Sequence, residues 1–308
     1  MSDLKAGAPF QHSGRNVSQL MQSVLYALVP GVLASLWFFG LGILFNIVIA
    51  VLFAVSAEAA MLRLRNRNIR SQLSDRSVVV TALLFAAVIP PGSPYWLVAL
   101  GIVFTVVIAK HLYGGLGQNP FNPAMCGYAM LLLAFPLEMT GKSTSESAAP
   151  LFASGSETAW QIVNISYLLG GLFLLYKKII SWHIPLAVIT TIIVLSATFY
   201  TPDSIAIYGT PYLHLFGSAT MIGVFFIATD PVSAATTRPG KLIYGIIIGT
   251  SIYSIRVWGN YLDSIAFAVL LGNFCAPLLD QHCRPRIFGH GLRGKSDKHL
   301  PNKEPVKP

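Results

Sequence analysis

Ten apolar stretches follow one another along this chain with only short polar connectors between them. Lipid supplies no hydrogen-bond partners, so a segment that crosses it must pair its own N–H and C=O groups, and for unbroken apolar runs that means α-helix. The runs fall at Gln22–Phe39, Leu41–Ala60, Val78–Ile89, Tyr95–Ala109, Pro123–Phe135, Trp160–Tyr176, Ile184–Tyr200, Leu213–Thr229, Lys241–Ile255 and Ser264–Leu279. Spanning takes about 20 residues, so the third, fifth and tenth are expected to be too short to cross alone. Composition agrees, with 54% hydrophobic and only 11% charged residues. A soluble domain carries about 25% charged residues. The fold expected is an all-α polytopic membrane protein. Met1–Gln19 is polar and lacks the small-residue cleavage site of a secretory signal, so the first run is expected to be a retained span.

The formal net charge is +9, but the basic residues gather in particular loops and in the tail, which argues against a nucleic-acid surface. Arg63, Arg65, Arg67, Arg70 and Arg76 follow the second run, Lys110 and His111 the fourth, Lys177 and Lys178 the sixth, and Arg238 and Lys241 the eighth. Arg284, Arg286, Arg293, Lys295 and Lys298 follow the tenth. The alternate loops are nearly free of basic charge, Arg256 being the exception. The positive-inside rule then predicts that both termini are cytoplasmic. Cys126, Cys275 and Cys283 lack metal-ligand spacing and read as buried thiols.

One segment breaks the pattern. Lys110-His-Leu-Tyr-Gly-Gly-Leu-Gly-Gln-Asn-Pro-Phe-Asn-Pro-Ala124 is too rich in glycine and proline to be helix throughout. Irregular backbone at membrane depth survives only when it is buried in protein or lines a cavity, so a binding site is expected there. The two halves of the chain also resemble each other. Ser77–Pro91 and Ser218–Pro231 each run from small residues through an apolar stretch to a proline stop. An aromatic-glycine pair follows in each half, Tyr113-Gly114 and Trp258-Gly259. The organisation expected is a cytoplasmic segment 1–20, a five-span repeat 21–137, an outward loop 138–159, a second and inverted five-span repeat 160–283, and a basic tail 284–308. Such repeats place their ligands at the interface, beside broken helices.

Asn122-Pro123 has the form of a helix start, with an N-cap followed by proline, and Asp230-Pro231 has the same form. Each acts as a plain cap or presents a helix N-terminus to a ligand. Gly114, Gly115 and Gly117 would let a flat ligand approach the backbone, and Asn119 would offer its carboxamide to a ring edge. Asp230 is an acid at membrane depth, a position that suits an ion or proton pathway as well as a cap. Phe121, Trp258 and Tyr261 could stack on a ring. Glu58 is expected to pair with Arg63 or Arg65 at the interface. No nucleophile, nicotinamide, cluster or metal motif appears, and no catalytic residue is assigned.

Tyr113-Gly-Gly-Leu-Gly-Gln-Asn-Pro-Phe-Asn-Pro-Ala124, Gly217-Ser-Ala-Thr-Met221 and Thr229-Asp-Pro-Val-Ser-Ala234 resemble the NqrB/RnfD family. Pro30-Gly-Val-Leu-Ala-Ser-Leu-Trp-Phe-Phe-Gly40 and Arg284-Pro-Arg-Ile-Phe-Gly-His290 extend the resemblance over nearly the whole chain. It implies a subunit of an inner-membrane Rnf complex that couples electron transfer to Na⁺ or H⁺ translocation, with the other Rnf subunits and membrane lipid as partners. It also implies flavin, as FMN or riboflavin. Family members usually carry FMN esterified to a threonine in the outward loop, and here Ala149 stands at the matching position. An alanine methyl cannot form that ester, so a non-covalent site near Gly114, Gly115, Gly117, Asn119, Asn122 and Thr220 is expected instead. The alternatives are a small-solute channel on the same repeats and a flavin-less scaffold within the same complex.

Overall fold

The computed structural model describes residues 16–140, 157–199, 210–259 and 264–283. Ala149, most of the outward loop, Tyr261 and the basic tail lie outside the described residues. The helices are α1 (Val17–Phe39), α2 (Leu41–Leu64), α3 (Ile69–Leu73), α4 (Ser77–Val88) and α5 (Tyr95–Phe104, continued by the π-wound Thr105–His111). They continue with α6 (Pro123–Ala134), α7 (Pro136–Thr140), α8 (Glu157–Tyr176), α9 (His183–Thr198) and α10 (Pro211–Phe216). The last three are α11 (Thr220–Ile222, continued by the π-wound Gly223–Ile227), α12 (Arg238–Trp258) and α13 (Ile265–His282). Among the described residues there is no β-strand.

Four helices, α1, α2, α8 and α13, are long and apolar enough to cross a membrane. Helices α4, α5, α6 and α9 are shorter and apolar. The tenth run, expected to be short, is an 18-residue helix.

The eighth run departs most from expectation. It is not one helix over Leu213–Thr229 but two pieces separated at Gly217–Ala219, where Ser218 takes a left-handed φ of 56°. A break inside an apolar environment frees backbone groups that need partners. Asn164 of α8 provides them. Its Nδ2 donates to the carbonyls of Phe216 (2.8 Å) and Ser218 (2.7 Å), and its Oδ1 accepts from the Met221 amide (3.0 Å).

Helix α1 packs on α8, α2 on α4 and α5, α9 on α12, and α13 on both α6 and α12. The α9–α12 contact rests on Gly245-x-x-x-Gly249, the small-residue spacing that lets two helices approach closely. A methyl group built on Gly245 would lie 2.6 Å from the Ala187 Cβ, and one on Gly249 would lie 2.9 Å from the Val188 carbonyl oxygen. Tyr244, Ile248 and Ile252 continue the buried face one turn apart.

The connectors that carry basic residues gather at one end of the bundle. Arg65, Arg67, Gln72 and Asp75 surround Gly114 and Gly115, while Leu116, Ile179, Ile180 and Val232 border a common cavity.

Candidate functional site

The glycine-rich segment is a chain reversal between α5 and α6. The amide of Gly114 donates to the His111 carbonyl and that of Gly115 to the Lys110 carbonyl, each at 3.0 Å. Gly114, Gly115 and Gly117 hold φ values of 127°, 102° and 87°, a region that only glycine enters readily. Their immediate role is therefore to turn the chain.

Asn122 then caps α6, its Oδ1 accepting from the Met125 amide at 3.3 Å with Pro123 in the first helical position. Its Nδ2 reaches the Ile227 carbonyl on α11 at 3.4 Å. The Asn122 amide donates to Oδ1 of Asn273 on α13 at 2.8 Å when that side chain is oriented to satisfy its neighbours, and Nδ2 of Asn273 then donates to the Tyr244 hydroxyl at 2.7 Å. Asn119 gives its Nδ2 to the Phe121 carbonyl at 2.9 Å.

Asp230 does not start a helix. Its Oδ2 accepts from the Ser233 hydroxyl at 2.8 Å and its Oδ1 from the Val232 amide at 3.4 Å, which closes a turn. The next helix begins only at Arg238, capped by Thr237. Asp280 of α13 fixes that start, accepting from the Thr236 and Thr237 amides at 2.9 and 3.0 Å and from both hydroxyls. The proline grammar misled here because Pro231 serves a turn as readily as a helix.

Asn119, Asn122 and Asp230 come together around a cavity of about 950 Å³, counting its open mouth. Val24, Leu84, Leu174, Phe225 and Phe226 supply apolar walls, and Ser77, Lys110 and Thr229 add polar groups. Gly114 and Gly115 border a separate vestibule instead. Thr220 lies away from the cavity. It is fully buried, its hydroxyl within 3.0 Å of the His214 and Gly217 carbonyls, and it accepts from Nη2 of Arg256 at 2.9 Å.

Phe121 lines an apolar surface groove with Tyr113 and Cys126. Trp258 packs edge-on against Phe199 and Tyr253. The aromatic rings at the cavity are Phe225 and Phe226, which sequence reasoning passed over. Their signal was position, one helical turn before Thr229-Asp230.

Three further readings change. Glu58 does not pair with Arg63 or Arg65, because its side chain faces inward and meets Lys110 Nζ at 2.8 Å and His111 Nε2 at 3.0 Å. Lys110 and His111, loop charges by their place in the sequence, are 2% and 3% exposed. Cys126, Cys275 and Cys283 are half-buried free thiols rather than fully buried ones.

A mostly apolar cavity with a few convergent polar groups is the ordinary form of a small-molecule site. Comparison with known proteins agrees with the family resemblance. Residues 4–289 match the NQR2, RnfD, RnfE family. The chain is 40% identical to the D subunit of the ion-translocating oxidoreductase complex of Aliivibrio salmonicida, with 92% of this chain and 97% of the relative covered. It is 41% identical to the protein of the same name from Vibrio cholerae (92% and 99% covered) and 42% identical to that from Citrobacter koseri (92% and 98% covered). The chain belongs to the NQR2, RnfD, RnfE family, with the D subunits of ion-translocating oxidoreductase complexes among its relatives.

Proposed function

We propose that this chain is the membrane D subunit of an Rnf-type complex and that the cavity between α1, α4, α6 and α11 holds a non-covalent flavin, riboflavin or FMN. In this reading the ten spans form two inverted five-helix repeats in the inner membrane, with both termini cytoplasmic. The packing of α1 on α8 and of α6 on α13, matching members of the two halves, supports it. The observation that carries the flavin assignment is the convergence of Asn119, Asn122, Thr229 and Asp230 on an apolar cavity walled by Phe225 and Phe226.

A bound flavin supplies one- and two-electron redox chemistry, and the protein supplies position, orientation and electrostatics. Asn119 and Asn122 would fix the ring edge, the phenylalanines would exclude water, and Asp230 would set the local charge. The complex would move Na⁺ or H⁺ as electrons pass. The chain is not a complete catalyst alone.

Covalent attachment has no acceptor at Ala149. The alignment with the Aliivibrio relative spans 344 positions, more than the 308 residues of this chain, so that relative carries segments missing here. The same observation favours a second reading, in which the chain holds no flavin and serves as scaffold.

The test is flavin content of the purified complex, produced with its flavin transferase. Flavin released on denaturation supports the cavity site. Fluorescence that stays with the denatured chain refutes the reading of Ala149, and absence of flavin favours the scaffold. Replacing Val24 with Trp, which fills the cavity from α1, should empty the site while the complex still assembles. Unchanged flavin content in that variant removes the cavity from consideration.

A further inference from the structure

Two cavities meet at one buried cluster. The inner cavity is bordered by Ser77 and Lys110 and holds Asp230 on its wall. The second is a polar vestibule of about 530 Å³ lined by Arg65, Arg67, Gln72, Asp75, Gly114 and Gly115, with Glu58 and His111 at its inner end. Leu116 borders both. Between them Lys110 Nζ donates to both Glu58 oxygens, at 2.8 and 3.0 Å, and to the Ser77 hydroxyl at 3.1 Å. His111 Nε2 lies 3.0 Å from Glu58 Oε2 as an ionic contact, and neither ring nitrogen has a hydrogen-bond partner among the described residues.

We propose that Glu58, Lys110 and His111 form a proton-exchange station that seals the inner cavity from the vestibule and passes protons between the vestibule and Asp230. The proposal rests on the reading of the chain as part of an ion-translocating complex and names the ion and the route.

Three observations support it. A buried structural ion pair needs one cation for one carboxylate. Here the single carboxylate faces an ammonium and an imidazole, and neither imidazole nitrogen has a hydrogen-bond partner among the described residues. Histidine is also the side chain that exchanges protons near neutral pH.

The donor set fits a proton and not a metal ion. Hard cations take several oxygen ligands. The cluster offers one carboxylate and one hydroxyl, beside an ammonium that repels cations.

The third observation is placement. Lys110 and His111 end the π-wound turn of α5, and π-turns inside helices recur at functional sites. Lys110 lines the same cavity as Asp230.

The transfer involves only N–H and O–H bonds and no electrons. A proton taken from the vestibule by His111 passes to the Glu58 carboxylate, which then no longer holds Lys110. The Lys110 ammonium turns across the cavity, gives a proton to Asp230 as a neutral amine, and regains one from the Glu58 carboxyl, which restores the pair. Among the described residues, the other ionisable groups facing the station are Arg65, Arg67 and Asp75 from the vestibule and Asp230 from the cavity.

The experiment uses the whole complex in sealed vesicles, with electron transfer, flavin content, proton movement (pH-sensitive dye) and radioactive sodium uptake measured together. His111→Gln, which keeps the packing and strands no charge, and Glu58→Gln should each abolish proton movement while flavin content and electron transfer persist. Proton movement retained in His111→Gln with an unchanged pH profile overturns the station. So does a wild-type complex that moves sodium and no protons. A wild-type complex that transfers electrons and moves neither ion overturns the translocation reading and the station with it.

Discussion

Arg256 Nη2 lies 2.9 Å from the Thr220 hydroxyl, and its Nη1 donates to the His214 carbonyl at 2.7 Å. The guanidinium thus bridges the end of α10 and the start of α11 across the break at Gly217–Ala219. By charge placement alone Arg256 was the exception in a loop that should carry no basic residue. The structure accounts for the exception, because the side chain turns inward and serves as a fixed donor pair for a broken helix. A planar guanidinium suits that task better than an ammonium, having several donors in one rigid fork.

Arg256→Met should leave the His214 carbonyl and Thr220 hydroxyl without that donor, at a cost of about 1–3 kcal/mol. Thermal unfolding of the detergent-solubilised complex should shift down accordingly. Arg256→Lys should recover part of the loss. Equal stability of wild type and Arg256→Met would show that the bridge holds nothing.

Gly249→Leu should separate α9 from α12. A methyl group alone would come within 2.9 Å of the Val188 carbonyl oxygen and 2.8 Å of the Thr191 Cβ. Overpacking of this kind costs about 1–3 kcal/mol where the neighbours can yield, and backbone yields least. Gly249→Ala should lower the melting temperature, and Gly249→Leu should in addition lower the yield of monodisperse protein. Normal yield and stability for the leucine variant would refute the close contact.

Much of the helical pattern was legible, since apolar run lengths and the Asn122-Pro123 cap depend on local sequence. What stayed hidden is tertiary. Glu58 and Lys110 are 52 residues apart, and no helical periodicity reports which acid a buried lysine will meet. The break at Gly217–Ala219 depends on Asn164, 54 residues before Ser218, to satisfy its carbonyls. Asp230-Pro231 and Asn122-Pro123 share a grammar, yet only the second starts a helix. The true start beyond Asp230 is set by Thr237 and by an aspartate from another helix. The cavity itself was anticipated only as a region. Asn119, Asn122 and Asp230 line it, whereas Gly114 and Gly115 line the vestibule and Thr220 lines neither.

Asp280→Asn should fray the start of α12. The carboxylate accepts from two amides and two hydroxyls, and an amide side chain would present N–H groups to donors. Loss of an N-terminal cap costs about 1 kcal/mol. Faster amide exchange confined to Thr236–Lys241, with the remainder of α12 protected as before, is the expected result. Unchanged exchange there would dismiss the carboxylate as an anchor.

Asn273 ties the cavity to the core behind it. Its side chain joins the Asn122 amide at the head of α6 to the Tyr244 hydroxyl on α12, and all three residues are at most 3% exposed. Asn273→Leu removes both links at once and leaves an amide and a hydroxyl buried without partners, each costing about 1–3 kcal/mol. Tyr244→Phe removes the hydroxyl and should be milder. Combined with Asn273→Leu it should cost less than the two singly added, since the phenylalanine leaves nothing unpaired on α12. Residues in contact show such non-additivity at about 0.5–3 kcal/mol. Chemical denaturation of the four proteins measures the cycle. Strict additivity would mean that the Asn273 side chain does not hold the Tyr244 hydroxyl, and the polar link from the head of α6 would then stop at α13.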